Sequence, residues 1–378
     1  MHDSATLAGW VSRLVRVPSV NPLHAGERAG APGEKAMAEA LAGYFEDLGA
    51  TAQLDEVLPE RPNVYGVVPG RTERLVCLDV HTDTVSVEHM VGDPFDGRVE
   101  DGRVWGRGAL DTKASMGVAL ALLDTWRREG QRPEPTVLLV GSISEEAGGM
   151  PGAEVFRAYA EAEGLAIDEM VVAEPTRCRP VYGHKGGVSL ELAIVGEAAH
   201  TATPHLGRNA ISAAARVIAA LEVEHERLQA LTPATEVGNG TLTVTMIAGG
   251  TGGNVVPALC TLCVGRRIVP FEDNLAVIDE LSALAREASP LPVEVTVSHM
   301  GSGAFYQSPD SPFVEALARW AGTSPAVAPY GTHALKYGGL AAGLAVFGPG
   351  AIEDAHRATE SVAVAELQQL ADVYAAWW

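Results

Sequence analysis

The chain has 378 residues, of which 47% are hydrophobic, and it carries a formal charge of −21 at pH 7. Its length and apolar content suit a globular protein of more than one domain, and its acidic balance argues against binding to a phosphate backbone, which needs an excess of Lys and Arg. Apolar stretches such as Met116–Leu123 are too short to span a membrane, and the N-terminal MHDSATLAGW lacks the basic and apolar regions of an export signal. We therefore expect a soluble, cytoplasmic protein that binds neither membranes nor nucleic acids.

The first and last parts of the chain predict a sheet covered by helices. The Gly/Pro-rich segment Asn21–Gly33 is interpreted as a surface loop, with a role at the edge of a substrate site as the alternative. The apolar spacing of Glu34–Leu48 predicts an amphipathic helix. Further helices are predicted at Ala114–Arg128 and Gly152–Ala162, and buried strands near Leu75–Val80, Val137–Gly141, Met170–Ala173 and Leu344–Phe347. This alternation predicts an α/β domain with a mostly parallel, doubly covered sheet that binds ligands at the carboxyl ends of its strands.

Residues 182–298 show a different pattern. Alternating apolar residues predict strands at Val188–Val195, Gly240–Ala248, Leu259–Val269 and Pro292–Ser298, and helices are predicted at Asn209–Leu221 and Asn274–Ala288. The resulting β-α-β-β-α-β order indicates an α+β, ferredoxin-like domain inserted into the sheet domain. The sheet domain would then consist of residues 1–181 and 299–378.

The cysteines do not indicate a disulfide framework, because four are too few for a chain of this length. Cys260 and Cys263 form a C-x-x-C pattern, which occurs in zinc and redox sites. They lie in the alternating apolar run ALCTLCVGRRIV without a second cysteine pair, and this setting favours ordinary strand cysteines.

Carboxylates and imidazoles follow the ends of the predicted strands. His81 and Asp83 close LVCLDVHTD, Asp111 lies in GRGALDTK, Glu145 and Glu146 close TVLLVGSISEE, Glu174 lies in MVVAEPT, and His356 ends LAVFGPGAIEDAH. Two divalent ions close together need a bridging carboxylate and mixed nitrogen and oxygen ligands from several segments. The set therefore predicts a two-metal hydrolase.

Each of these residues also has a structural alternative when taken alone. A strand-end histidine such as His81 often caps a turn, Asp111 suits the N-cap of the following helix, and Glu145-Glu146 could form an exposed acidic turn. Asp83 lies on the same side of the strand as His81 and could orient its imidazole. Adjacent carboxylates that end a buried strand repel each other unless cations or protons relieve them, and their side chains diverge. This pair therefore favours one metal ligand and one group that faces substrate.

A family resemblance supports this interpretation. The chain carries, in this order, HTDTV, GRGALDTKASM, SEEAGG, AEPT, GHKGG, GEAAHTATPHLGRNAI, GGTGGNVVP and FGPGAIEDAH. These segments resemble the motifs of the M20 family of metallo-aminoacylases and carboxypeptidases, from about Arg13 to the C-terminus. Within that family, the succession of AEPT, HKGG and FGPG is most similar to acetylornithine deacetylases. The resemblance implies a catalytic sheet domain, an inserted lid and dimerisation domain, and a homodimer.

The resemblance also implies the roles of the strand-end residues. One ion would be bound by His81, Asp111 and Glu174, and the other by Asp111, Glu146 and His356. The expected cofactor is two Zn²⁺ ions, and the same ligands would accept Co²⁺ or Mn²⁺. By the same resemblance, Asp83 orients the first histidine and Glu145 is the general base that deprotonates the attacking water.

Residues of the inserted domain are also matched by the resemblance. His200 in GEAAHTATP matches a histidine that stabilises the oxyanion and is often supplied by the partner subunit, whereas a surface-loop histidine is the alternative. Asn254 and Arg267 resemble the residues that bind the substrate carboxylate. The family commonly has an acidic residue before that arginine, but this chain has Arg266, so either arginine could bind the substrate.

A second departure follows Gly331 and Thr332, which are also assigned to substrate binding. Acetylornithine deacetylases tend to have GTEA here, whereas this chain has His333 in place of the acid. A carboxylate would complement the amino group of an ornithine side chain, and a histidine would do so less well. The reaction is therefore better defined by the sequence than the substrate.

The sequence thus predicts a di-zinc amidohydrolase that removes the acyl group from an N-acyl amino acid, with acetylornithine as the leading substrate. Alternatives with the same chemistry are a succinyl-diaminopimelate desuccinylase and a carboxypeptidase or dipeptidase that cleaves a small peptide. A metal-binding scaffold that has lost turnover is the alternative from another class. Glu145 argues against that scaffold, because a binding protein does not need a general base.

Overall fold

The computed structural model describes residues 3–301 and 303–378, which form two compact units. The first unit consists of residues 1–182, 307–326 and 332–378, taken over the described residues, and the second of residues 183–306 and 327–331. The helices are α1 (Ser4–Val15), α2 (Lys35–Asp47), α3 (Lys113–Arg128), α4 (Pro151–Ala162), α5 (Ala210–Gln229), α6 (Asn274–Ala288), α7 (Pro312–Ala321) and α8 (Val364–Trp377). The strands up to the inserted unit are β1 (Thr51–Leu58), β2 (Arg61–Val68), β3 (Leu75–His81), β4 (Val99–Glu100), β5 (Arg103–Trp105), β6 (Thr136–Ser142), β7 (Ile167–Val172) and β8 (Val181–His184). The remaining strands are β9 (Gly186–Val195), β10 (Ala199–His200), β11 (Thr241–Gly249), β12 (Val255–Val256), β13 (Leu259–Ile268), β14 (Val293–Met300), β15 (Phe305–Tyr306), β16 (Ala326–Ala328), β17 (Ala341–Val346) and β18 (Ser361–Ala363).

The sheet of the first unit has the strand order β1-β2-β6-β3-β7-β17. The pairs β3–β6, β3–β7 and β7–β17 are parallel, so the prediction of a mostly parallel sheet is confirmed. The four predicted strands of this sheet all form, because their continuous apolar sequences are buried on both faces.

Helices cover both faces of this sheet, as predicted. A Cβ built on Gly66 of β2 would lie 2.5 Å from the Phe45 ring of α2, whereas the neighbouring Tyr65 contacts Phe156 of α4 with ring centroids 5.5 Å apart. Successive residues of a strand face opposite sides of the sheet, so α2 and α4 pack on opposite faces.

An antiparallel hairpin that the sequence analysis did not identify extends the sheet at one edge. It consists of β1 and β2, with Thr51 opposite Val67, and β2 continues the sheet beside β6. The residues of β1 are largely exposed, and Pro62 and Asn63 interrupt the apolar pattern of β2. Neither strand therefore has the continuous apolar run by which the central strands were recognised.

The second unit contains a four-stranded sheet with the order β11-β13-β9-β14 and antiparallel neighbours. Helices α5 and α6 pack on it around a shared apolar core that includes Leu192, Val217, Leu262 and Leu281. The chain order and the strand order are those of a ferredoxin-like unit, which confirms the predicted fold class. Helix α5 is longer than predicted, because Leu228 at its polar end is buried in this core.

The C-x-x-C pattern lies within β13, as ordinary strand cysteines would. Cys260 is buried and Cys263 is partly buried, and both thiols are free. Within the described residues, no helix combines the length and apolarity that crossing a bilayer would require.

Candidate metal centre

The strand ends of the first unit bring the predicted ligands together. Strands β3, β6 and β7 are parallel neighbours, and His81 at the end of β3 lies opposite Ser142 at the end of β6. Parallel strands place their carboxyl ends at the same edge of a sheet, so the segments that follow them converge there. Glu145 and Glu146 follow β6, and Glu174 follows β7.

The Asp111 carboxylate lies between two histidines. Its Oδ1 is 3.1 Å from Nε2 of His81, and its Oδ2 is 3.1 Å from Nε2 of His356. Each carboxylate oxygen therefore faces a different imidazole, which is the arrangement that a carboxylate bridging two ions requires.

The remaining carboxylates belong to two groups of nearby ligand atoms that share His81. His81, Asp111 and Glu146 each offer one atom, and these atoms lie within 4.8 Å of one another. The same spacing holds for His81, Glu145 and Glu174. His356 joins the first group, because its Nε2 is also 3.1 Å from Glu146. These mixed nitrogen and oxygen donors fit zinc, and they also fit cobalt or manganese.

Asp83 binds both the segment that follows β6 and the loop that begins at Asn21. Its carboxylate accepts hydrogen bonds from the backbone N–H groups of Glu145 (3.0 Å) and Glu146 (3.1 Å) and from the side-chain amide of Asn21 (2.8 Å). Nδ1 of His81 lies 2.9 Å from the backbone carbonyl oxygen of Asp83 and 3.6 Å from its carboxylate. Nδ1 can therefore donate to Asp83 while Nε2 points towards Asp111.

The charges in this cluster perturb one another strongly. Burial and the neighbouring Asp111 charge raise the pKa of Glu146 to about 7, and burial raises the pKa of Glu174 well above its usual range. Burial opposes ionisation of Asp111, but hydrogen bonds from His356 and His81 keep the pKa of Asp111 below its ordinary value. So many carboxylates at one buried edge need cations or protons to coexist, and metal ions supply that charge.

The predicted residues His200 and Asn254 lie together in the second unit. His200 of β10 is paired with Val255 of β12, and the backbone N–H of Thr201 donates to the carbonyl of Asn254 at 3.1 Å. Nδ1 of the exposed His200 accepts a hydrogen bond from the N–H of Ala202 at 3.0 Å. In the neutral ring the proton then lies on Nε2, which leaves that atom free to act as a donor.

The two adjacent arginines of β13 have different environments. Arg266 is buried, at 4% exposure, and its guanidinium pairs with Glu272 at 2.5 Å. Arg267 is exposed at the end of the same strand. Of the two, Arg267 is therefore the side chain that remains accessible to an anion.

The segment after Gly331 is buried instead of facing solvent. Thr332 is fully buried, and its hydroxyl accepts a hydrogen bond from the N–H of Ala334 at 3.1 Å. His333 is 1% exposed, and its Nδ1 lies 2.9 Å from Asp79 in β3. His333, which stands where GTEA has an acid, therefore pairs with Asp79 of the same unit.

Sequence reasoning missed two polar residues that support the centre, Asn21 and Glu360. Asn21 is fully buried and donates to Asp83, although it begins a segment interpreted as a surface loop. Glu360 is 1% exposed, and its carboxylate accepts from the N–H groups of Leu110 and Asp111. The only local signal for Glu360 is its place directly before the apolar strand that starts at Ser361.

Comparisons with known proteins identify the family and the fold. Residues 77–378 match the family described as peptidase family M20/M25/M40. A curated acetylornithine deacetylase from Myxococcus xanthus is 30% identical over 325 residues, which cover 83% of this chain and 82% of that relative. Among solved structures, the aminopeptidase PepT from Bacillus cereus has a TM-score of 0.77 at 19% identity and covers 99% of this chain and 98% of its own. A dinuclear metal-binding peptidase of family M20 from Bacillus subtilis has a TM-score of 0.67 at 17% identity, covering 99% and 96%. The family match over most of the chain leads to one conclusion: this protein belongs to peptidase family M20/M25/M40 and is a metal-dependent hydrolase of amide bonds.

Proposed function

We propose that this protein is a di-zinc amidohydrolase that removes the acetyl group from an N-acetyl amino acid, with N-acetylornithine as the leading substrate. The observation that carries the proposal is the Asp111 carboxylate, whose two oxygens face His81 and His356 at 3.1 Å each. The curated relative named acetylornithine deacetylase favours that substrate. Such a reaction belongs to amino-acid biosynthesis, and we place it in the cytoplasm.

In this proposal the ligands divide between two ions that share Asp111. As the family resemblance implies, one ion would be bound by His81, Asp111 and Glu174, and the other by Asp111, Glu146 and His356. The second set is supported by Nε2 of His356, which lies 3.1 Å from Asp111 and 3.1 Å from Glu146. When bound, the ions lower the pKa of a water molecule and polarise the amide carbonyl. The protein supplies the fixed ligand geometry, and Asp83 holds the backbone of the glutamate pair in place.

Glu145 acts as the general base and then as the general acid. Its side chain is close to His81 and Glu174, and burial raises its pKa well above the ordinary value for a glutamate. A raised pKa suits a carboxylate that takes a proton from water and then returns it to the leaving amine. With cations bound beside it, the pKa of Glu145 would be lower, so Glu145 would be ionised at the start of each turnover.

His200 stabilises the oxyanion that forms on the substrate carbonyl. Because its Nδ1 already accepts a hydrogen bond from Ala202, its Nε2–H is available as the donor. Losing one such donor typically costs about 2.7–4 kcal/mol of transition-state stabilisation. Asn254 and Arg267 bind the substrate carboxylate, and Arg267 is favoured over Arg266 because only Arg267 is exposed.

The second unit serves as the lid and as the dimerisation domain of a homodimer. Strand β11 lies at the edge of its sheet, and Met246 and Ile247 on this strand are 66% and 57% exposed. Leu259 and Ile211 of the same unit are 50% and 40% exposed. An open strand edge with exposed apolar side chains suits pairing with a second copy of the chain.

A substrate screen tests the proposed reaction. The protein is loaded with Zn²⁺, Co²⁺ or Mn²⁺ and assayed for amine release from N-acetylornithine, N-succinyl-diaminopimelate and a set of dipeptides. We expect the highest kcat/KM for N-acetylornithine, with Glu145→Ala as the control for contaminating activity. A preference for succinylated or peptide substrates would replace the substrate assignment. Amide hydrolysis no faster than that of the control, on every substrate, would refute the catalytic proposal.

A further inference from the structure

The loop that carries Asp111 depends on a distant acid for its position. It runs from Gly106, after β5, to Thr112, before α3, without regular secondary structure. One oxygen of the Glu360 carboxylate accepts hydrogen bonds from the N–H groups of Leu110 (3.0 Å) and Asp111 (3.2 Å). A single carboxylate oxygen therefore fixes the two amides at the base of the side chain that bridges the ions in our proposal.

Glu360 is itself held firmly. Its second oxygen accepts a hydrogen bond from Nη1 of Arg107, and its backbone carbonyl accepts one from Gly106 at 3.1 Å. Arg107 is 3% exposed and also donates to the carbonyl of Ser86 through Nε (3.2 Å) and Nη2 (2.9 Å). This buried and fully paired carboxylate has little freedom to move, so it can act as a fixed support for the loop.

The segment that supplies Glu360 also supplies His356. This segment therefore contacts Asp111 at two points, at its backbone N–H through Glu360 and at its carboxylate through His356. A backbone support of this kind matters for metal binding because ligand atoms must be held within a fraction of an ångström of their productive positions.

We infer that Glu360 is a positioning residue for metal binding: it fixes the main chain of Asp111 so that both carboxylate oxygens are available to the two ions. This inference rests on the proposed two-ion centre. The Glu360 carboxylate accepts from Arg107, Leu110 and Asp111, so we assign it an effect on the ions through Asp111 alone. Removing a support of this kind typically weakens metal affinity by about 10- to 100-fold.

The test compares Glu360→Gln with a matched variant, Glu169→Gln. Glutamine keeps the size of Glu360 but brings an amide N–H towards Arg107 in place of an oxygen acceptor. Glu169 is a partly buried acid that, like Glu360, accepts from an arginine, Arg74, and it also accepts from the indole N–H of Trp377 (2.7 Å). It lies near the amino ends of the parallel strands, away from the ligands. Glu360→Asp is measured in parallel, because it keeps the charge but is too short to maintain all three contacts, and it tests the same support if Glu360→Gln does not fold.

The readouts are Co²⁺ affinity, measured by competition with a chromophoric chelator, and the thermal unfolding midpoint of each metal-free variant. Titrations are made well below the midpoint, so that a loss of stability alone leaves affinity unchanged. We expect the more weakly bound Co²⁺ to bind at least about tenfold more weakly to the Glu360 variants, and to bind Glu169→Gln as it binds the wild type. Wild-type affinity for both ions in the Glu360 variants would overturn the inference. Failure of the wild type to bind two ions would instead refute the proposed metal centre.

Discussion

Loading the metal centre at pH 7 should release protons. Hydrogen bonds to Asp111 and Glu146 raise the pKa of His356 to about 10 in the metal-free protein. Burial opposes protonation of His81, but its hydrogen bonds to Asp111 and Asp83 raise its pKa well above the ordinary value. Both imidazoles therefore carry an extra proton at pH 7, and each must lose it before its nitrogen can bind a metal ion. We expect at least about two protons to be released per chain loaded with two ions.

The pH dependence of metal affinity follows from this count. Metal binding competes with protons, so affinity rises as pH increases towards the pKa values of the histidines. Two protons correspond to about 2.7 kcal/mol of binding free energy for each pH unit. Glu174, whose pKa is also raised by burial, would add to the release.

Calorimetric titration with Zn²⁺ in two buffers of different ionisation enthalpy measures this release directly. The difference in heat between the buffers gives the number of protons, and His356→Gln should release about one fewer than the wild type. A heat of binding that is the same in both buffers at pH 7 would mean that no net proton is released, and it would refute the charge states derived for the two histidines.

Three further predictions concern catalysis, assembly and stability. Glu145→Ala should keep its metal content in elemental analysis while kcat falls at least about a hundredfold, and Glu146→Ala should lose metal; the opposite pattern would reverse these roles. If His200 acts across a homodimer interface, mixing inactive Glu145→Ala and His200→Ala chains should restore part of the activity, and no recovery after proven subunit exchange would exclude that arrangement. Burial lowers the pKa of His184 from 6.5 to about 4, so the unfolded chain binds a proton more readily and stability falls by about 3 kcal/mol as pH drops from 7 to 4. Urea unfolding should show a smaller acid effect in His184→Gln, and equal acid sensitivity would contradict this assignment.

The sequence predicted the parts of the fold that follow from local patterns. Strand β3 was recognisable because its apolar residues are continuous, as burial on both faces requires. The hairpin of β1 and β2 was missed because the exposed β1 has no such run, and β2 contains Pro62 and Asn63. Its place in the sheet depends on tertiary pairing with β6, which leaves little trace in the local sequence.

In the candidate site, too, some residues were predictable from the local sequence and others were not. Strand-end acids could be grouped in advance because parallel strands bring their carboxyl ends to one edge. The two residues that support the site, Asn21 and Glu360, could not be identified in advance. Asn21 contacts Asp83 across 62 residues of sequence, and Glu360 contacts the backbone N–H of Asp111 across 249. Neither contact belongs to a repeating pattern, so only the folded structure identifies it.

The order of strands in the sheet of the first unit affects how the chain folds during translation. Strand β7 ends at Val172, but its parallel neighbour β17 begins only at Ala341, after the whole inserted unit has been translated. Until then, a nascent chain carries a buried-type apolar strand with one unpaired edge, which is the kind of surface that promotes aggregation. The inserted unit has its own core and can form while that edge is still open. Ribosomal stalling or premature termination between these two strands should therefore yield aggregating chains that contain a folded insert, instead of a partly active enzyme.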